Sequence, residues 1–389
     1  MKPSEISRIN VGSSDSTLSE GLGSSSFGSL PIQKKGLWKS ISQTFSSASA
    51  IENHEFRKQI KACTNSPTFQ PLGKGGFSTV FKVVSIRGLP LACKVIRNRT
   101  GEKRRRFYIR CKTEFDLQKR CSGHDNILQA LSLTFKDEKA YLCTEFCPLG
   151  NLESLLNGNK GRPLPMEKTR SLFLGLLNGI HYLHNKHGIA HRDIKPANLL
   201  MSHDESIKIA DFGSAVYAEA QPYISSDASL VSSYWSAPEL LLDITAYAQD
   251  VDEDTFFNSW DVKDILSCDV YSAALVFCVC YHGWKRTEYW SNIFPDSAFI
   301  QKKHPAIASI REDRIRNLMS DMVQFNPKRR ASVRQSMDEF IKKSSGSIDA
   351  VHVVEVRVSP PSIAPRPSVA TRELALASMR RISSASTNA

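Results

Sequence analysis

From about residue 66 to residue 342 the chain alternates short apolar runs with longer stretches of helical period. Thr68–Gly73 and Ser78–Ile86 read as strands joined by a glycine-rich turn, and Arg87-Gly88-Leu89-Pro90 as the turn into a third strand, Leu91–Ile96. Charged residues over 102–121 predict an exposed helix. Strands follow near Ile127–Phe135 and Lys139–Phe146. Leu172, Phe173, Leu176, Leu177, Ile180 and Leu183 recur every three or four positions, which predicts a long amphipathic helix over Met166–Lys186. Ile207–Ala210 is a further short strand. Strands gather early and helices late, so the fold class is α+β, with a small sheet-rich lobe over about 66–146 and a larger helical lobe over about 150–342.

Composition alters this picture mainly at the ends. Residues 1–50 hold fifteen serines and few bulky apolar side chains, so residues 1–65 are expected to lack structure of their own. The Ser/Pro-rich tail 343–389 is expected to behave likewise. Within it Val354, Val356 and Val358 alternate with Glu355 and Arg357, the period of a strand that could dock on the body or on a partner. The longest apolar run, Ala273–Tyr281, is half the roughly 18 residues a membrane span needs, and no secretory leader is visible, so the cytoplasm is the expected compartment. Nine cysteines with no Cys-x-x-Cys pair argue for free thiols over disulfides or zinc. The net charge of +12 suits an anionic partner without requiring one.

The chemistry starts at Gly73-Lys74-Gly75-Gly76-Phe77-Ser78-Thr79-Val80. Glycines let main-chain N–H groups approach phosphate oxygens, but alone this run fits a bare hairpin equally well. A strand rather than a helix follows it, which excludes a Rossmann reading. Lys94 sits inside the apolar strand Leu91-Ala92-Cys93-Lys94 and needs a counter-charge if buried. His191-Arg192-Asp193-Ile194-Lys195-Pro196-Ala197-Asn198-Leu199-Leu200 follows the long helix, and Asp211-Phe212-Gly213 follows the short strand. In this order and spacing the four pieces resemble a eukaryotic-type protein kinase. Ala237-Pro238-Glu239, Asp269-Val270-Tyr271-Ser272 at the start of a central helix, and Asn326-Pro327-Lys328-Arg329-Arg330 continue the resemblance, which covers about 66–342.

The resemblance implies a bilobal kinase fold and a role for each matching residue. Leu72, Gly73, Lys74, Gly75, Gly76, Phe77, Ser78, Thr79 and Val80 would cover ATP, with Val80, Ala92 and Leu200 enclosing the adenine. Lys94 would hold the α- and β-phosphates and pair with Glu114. Thr144 would be the gatekeeper, followed by the hinge from Glu145 to Cys147. Asp193 would accept or orient the proton of the substrate hydroxyl, and Lys195 would neutralise the transferring group. Asn198 and Asp211 would hold Mg²⁺. A lysine two positions after Asp193 marks the serine/threonine class. Arg330 and Glu239 would form a buried ion pair, and Arg192 would receive a phosphate carried by Ser225, Ser226, Ser229, Ser232 or Ser233, placed there by an upstream kinase or by autophosphorylation.

Several positions depart from the pattern. Ser78 stands at the third loop glycine, Gln118 at an ordinarily apolar site four residues after Glu114, and Ala273-Ala274 at a glycine-rich step of the central helix. The thirty-residue interval from Glu239 to Asp269 is long and carries Asp250–Asp254; 243–264 reads as an inserted surface loop. Asn151 and Ala197 replace glutamates common in arginine-directed relatives. Lys103–Arg106 is either the solvated start of the regulatory helix or a nuclear-localisation patch, and Arg380-Arg381-Ile382-Ser383 resembles a site for an arginine-directed kinase. The expected activity is phosphorylation of serine and threonine in a protein substrate. The rivals are a catalytically silent kinase-fold scaffold, which intact Lys94, Asp193, Asn198 and Asp211 disfavour, and a nucleic-acid-binding module on the basic run, which lacks a recognised motif.

Overall fold

A computed structural model describes residues 54–60, 71–219, 235–240, 262–283, 305–324 and 326–344. The chain divides into two compact units, Met1–Asp338 and Glu339–Ala389; of the second, only the end of the last helix is described. The expected serine acceptors at 225–233, most of the 243–264 insertion and the tail beyond Ser344 lie outside the described residues.

The first lobe is a five-stranded antiparallel sheet of β1 (Gly73–Lys74), β2 (Ser78–Val84), β3 (Pro90–Arg97), β4 (Ala130–Lys136) and β5 (Lys139–Glu145), ordered β1-β2-β3-β5-β4. Helix α1 (Arg104–Cys121) packs on one face, where Phe107 and Cys111 meet Ile96 and Ala140. The strands expected over Ser78–Ile86, Leu91–Ile96 and Lys139–Phe146 match β2, β3 and β5; of the strand expected over Thr68–Gly73 only Gly73 falls in β1, with 68–70 outside the described residues, and β4 begins at Ala130 rather than near Ile127. Ile127 instead makes an isolated parallel bridge to Ile209.

β3 carries apolar side chains on both faces, Ala92 and Ile96 beside Lys94 on one and Leu91, Cys93 and Val95 on the other. The second face therefore needs its own cover. It is supplied by residues 54–60, which form a helix within the segment 1–65 expected to be unstructured. Phe56 and Ile60, one turn apart, join Phe81, Leu91, Cys93, Val95 and Cys143 in one buried cluster. Each such burial is worth roughly 1.5–3 kcal/mol, which a seven-residue window of polar composition does not advertise. The expectation of disorder fails there because the sheet provides most of the core.

The second lobe holds α2 (Leu152–Gly158), α3 (Met166–His181), α4 (Val262–His282), α5 (Pro305–Ala308), α6 (Asp313–Met322) and α7 (Val333–Ser344), the last crossing the boundary between units. The predicted helix over Met166–Lys186 is present, but its final stretch, Tyr182–Lys186, widens into π-helical turns. The short strand expected over Ile207–Ala210 is β8 (Ile207–Ile209), which forms an antiparallel hairpin with β7 (Leu199–Met201); β7 itself, and the antiparallel pair of β6 (Ile189–Ala190) with β9 (Val216–Tyr217), carry no signal in the sequence pattern. α3 lies tightly on β8, since a Cβ on Gly179 would stand 2.8 Å from Ile209 Cδ1 and 3.1 Å from the Asn126 carbonyl. α4 begins seven residues before Asp269, so 262–264 belong to this helix and not to an inserted loop. Its length and composition would suffice to cross a membrane, but it is buried on all sides as the lobe's central helix.

Candidate active site

Register decides which side chains meet in the cleft. In β3, Lys94 pairs with Val80 on β2 and Leu142 on β5, and Ala92 pairs with Thr144, so these five share the sheet face opposite Cys93. On α1, Phe107, Cys111, Glu114, Leu117, Gln118 and Cys121 form the buried stripe, which places Glu114 among core residues, pointing at the sheet. Lys94 Nζ lies 2.8 Å from Glu114 Oε1 and 2.8 Å from Asp211 Oδ1. One ammonium thus serves two carboxylates. Burial works against the Lys94 charge, but the two carboxylates outweigh it and raise its pKa above the ordinary lysine value. Burial pushes the Glu114 carboxyl up, with Lys94 opposing. Asp211 is also partly desolvated, yet Lys94 holds its carboxyl down to about 2. Its side chain stays 42% exposed and so remains accessible from the cleft.

Gln118 does not upset this register. It is buried and its Nε2 donates to the Leu128 carbonyl at 3.1 Å, so the amide nitrogen at this ordinarily apolar position has a partner. Asp211 takes a left-handed conformation, φ 65°, which turns its carboxylate back to accept weakly from Gly213 N–H at 3.4 Å. Phe212 is buried against His191, ring centroids 5.0 Å apart.

The second group of polar residues comes from the loop between β6 and β7. Asp193 Oδ2 is 2.9 Å from Lys195 Nζ and accepts from Asn198 Nδ2 at 2.8 Å; the same Nδ2 donates to the Asp193 carbonyl at 2.9 Å. With its nitrogen so engaged, Asn198 has Oδ1 to offer a cation. Asn198 and the segment before Asp211 are tied by Ala210 N–H donating to the Asn198 carbonyl at 2.9 Å.

This loop hangs from a residue whose role the sequence did not reveal. Asp269, buried on α4, accepts from His191 N–H and Arg192 N–H, both at 2.7 Å, and pairs with His184 Nε2 at 2.9 Å. Burial disfavours its charge, but the His184 hydrogen bond holds its carboxyl below the usual range. The sequence marks Asp269 only as the expected start of a central helix; no local pattern marks its three partners, 77 to 85 residues away. They include Arg192 at φ 62°, a conformation that needs such support. Arg192 Nε donates to the Ser214 carbonyl at 2.8 Å, near the start of the segment that contains the candidate serines.

The glycine-rich run is a hairpin, as its residues suggest. Gly73 pairs with Val80 and Lys74 with Thr79, Leu72 N–H donates to the Val80 carbonyl at 2.9 Å, and Gly75 N–H to the Ser78 carbonyl at 2.8 Å. Gly76 and Phe77 form the exposed tip, where the Arg99 guanidinium lies over the Phe77 ring. Leu200 is packed with Cys147, Leu128 and Ala210. The Glu145 carboxylate is committed elsewhere, to Lys208 at 3.1 Å and Gln129 N–H at 2.8 Å, and its N–H donates to the Gln129 carbonyl at 3.1 Å, which leaves its carbonyl, already accepting from Thr144 Oγ1 at 3.1 Å, as the group it can offer a purine. Burial pushes the Cys147 thiol up to about 12, which disfavours the thiolate. Far from the cleft, Arg330 meets Glu239 through two bonds, 2.5 and 2.9 Å, both side chains buried, as the resemblance implied.

A family model described as a protein kinase domain matches residues 67–341. The chain is 36% identical over 179 residues to the Arabidopsis thaliana protein named mitogen-activated protein kinase kinase kinase ANP1, covering 44% of this chain and 26% of that protein. It is 35% identical over 190 residues to mitogen-activated protein kinase kinase kinase 2 of the same plant, covering 47% and 29%. With human mitogen-activated protein kinase kinase kinase kinase 3 the identity is 32% over 173 residues, 44% and 18% covered. The chain therefore spans less than a third of the length of these relatives.

Proposed function

The chain belongs to the protein kinase family, and from that premise we propose that it is catalytically active, transferring the γ-phosphoryl group of ATP to serine or threonine hydroxyls of protein substrates. The observation that carries this reading is the Lys94–Glu114–Asp211 constellation, assembled together with Asp193, Lys195 and Asn198. Phosphoryl transfer asks little covalent help of a protein. It asks for a polyanion held in line and its charge compensated.

Lys94, steadied by Glu114, is placed to hold the α- and β-phosphates. The hairpin 72–80 supplies main-chain N–H groups above them, and Val80, Ala92 and Leu200 supply apolar surface for the base. Asp193 takes or orients the hydroxyl proton as the new O–P bond forms and the bond to the diphosphate breaks; Lys195 offsets negative charge on the group in transit. Asn198 and Asp211 fit Mg²⁺: an amide oxygen and a carboxylate suit a hard cation that completes its shell with phosphate and water, and among the described residues no cluster of three or more His, Cys, Asp or Glu exists to hold a metal alone. When bound, the ion would neutralise charge on the phosphate oxygens.

The serine/threonine assignment is supported by Lys195, two positions after Asp193. Asn151 Nδ2 donates to the Ala197 carbonyl at 3.2 Å, so the two positions that would be acidic in an arginine-directed enzyme lie side by side and carry no charge. A substrate with basic residues before the acceptor is therefore not preferred. The test is ATP-dependent phosphorylation of a generic protein by the purified chain. Activity that Asp193→Ala leaves untouched, or calorimetry that finds no ATP affinity with magnesium present, overturns the reading in favour of a silent scaffold.

A further inference from the structure

The outer face of the five-stranded sheet has no part in the chemistry above. Register puts Phe81, Cys93 and Cys143 in one cross-strand row on the side away from Lys94. Such a face is costly to leave in water. Its cover comes from ahead of residue 67, where the kinase-family match begins. Phe56, 2% exposed, and Ile60, 7% exposed, are buried with that row. Between them Gln59 engages the edge of β2 with both ends of its amide: Nε2 donates to the Val84 carbonyl at 3.0 Å, and Oε1 accepts from Val84 N–H at 2.9 Å. A neighbouring strand would offer the same pair of bonds. The helix is thus fastened at a fixed place rather than simply resting on an oily surface.

We propose that Phe56, Gln59 and Ile60 are positioning residues for Lys94: helix 54–60 clamps β2 and β3 from behind and keeps the strand that carries Lys94 seated toward α1 and Glu114. This rests on the nucleotide-binding role proposed for Lys94. Cys93 and Val95 flank Lys94 in sequence and face the clamp, so β3 is packed on both sides only while the helix is docked. A helix of two turns has little stability of its own in water, so docking is held by these contacts and by the Gln59 pair. The catalytic strand therefore depends on a segment outside the family's own boundaries.

The two thiols under the clamp report on it. In the full chain, native-state alkylation is followed at each cysteine by mass spectrometry, beside steady-state kinetics in ATP. For Phe56→Ala/Ile60→Ala, Cys93 and Cys143 are expected to react at least roughly tenfold faster as local opening becomes more frequent. Cys268, Cys278 and Cys280 in the second lobe stay as protected as in the parent, and the KM for ATP rises more than kcat changes. Phe56→Leu restores both readouts. If the double variant does not fold, Gln59→Ala, at an exposed edge, carries the same test at smaller amplitude. Parallel loss of protection at all five thiols would mean a general stability role and overturn the proposal, as would exposure of Cys93 and Cys143 with an unchanged KM for ATP. Absence of ATP affinity in the parent defeats the kinase reading and the positioning role with it, whereas protected thiols in that same protein still establish the clamp.

Discussion

Lys94 holds two carboxylates with one charge, and its removal should be felt by both. Lys94→Met leaves Glu114 and Asp211 facing one another across a partly desolvated cleft and takes away the cation meant for the phosphates. Loss of one such preorganised group lowers turnover by about 10²–10³-fold, to be read as kcat on a protein substrate. His124 makes a prediction about pH. Burial lowers its pKa to about 4, and its Nδ1 accepts from Asn126 N–H at 3.1 Å, which requires the neutral ring. The unfolded chain binds this proton near pH ~6.5 while the folded chain resists it until about 4. The His124 contribution to stability is therefore complete above about 6.5, declines as pH falls toward 4, and levels off below. Urea unfolding across that window should show a shallower acid loss for His124→Gln than for the parent.

At the scale of elements, function depends on joints between secondary structures. The catalytic loop is hung from α4 through Asp269, two of whose bonds go to main-chain N–H groups of His191 and Arg192. Asp269→Asn replaces one accepting oxygen by a donor that clashes with these partners. Displacement of Asp193 by a fraction of an ångström to one ångström costs about 10²-fold in kcat, with ATP affinity little changed because Lys94 sits on another element. The end of α4 offers a structural test. Gly283 has φ +81°, and a Cβ there would lie 2.5 Å from the Gly161 carbonyl oxygen, a main-chain atom with nowhere to go. Gly283→Ala should lower stability by about 1–3 kcal/mol or more, seen as a drop in melting temperature.

At the scale of the whole molecule, a buried ion pair joins Glu239 to Arg330, 91 residues apart. Arg330 also donates to the carbonyls of Ser267 and Gln324, so the pair locks three segments together. Glu239→Ala strands a buried guanidinium and should destabilise by about 3–5 kcal/mol in denaturant titration; Glu239→Ala/Arg330→Met, which removes both charges, should recover much of that loss.

Family and fold class were legible in the chain because they are written locally: Lys94 in its apolar strand, the run from His191 to Leu200, Asp211-Phe212-Gly213, and the periods of 2 and 3.6 that separate sheet from helix. Glu114 is named through the family resemblance, and the structure shows it in the buried stripe of a helix expected to be exposed. What needed the folded molecule were the partners supplied from afar. Asp269 under the catalytic loop, Gln118 satisfied by the Leu128 carbonyl, and Phe56 with Ile60 completing a core made by other strands leave no periodic trace, because a short-range pattern records which side of an element is buried and never against what.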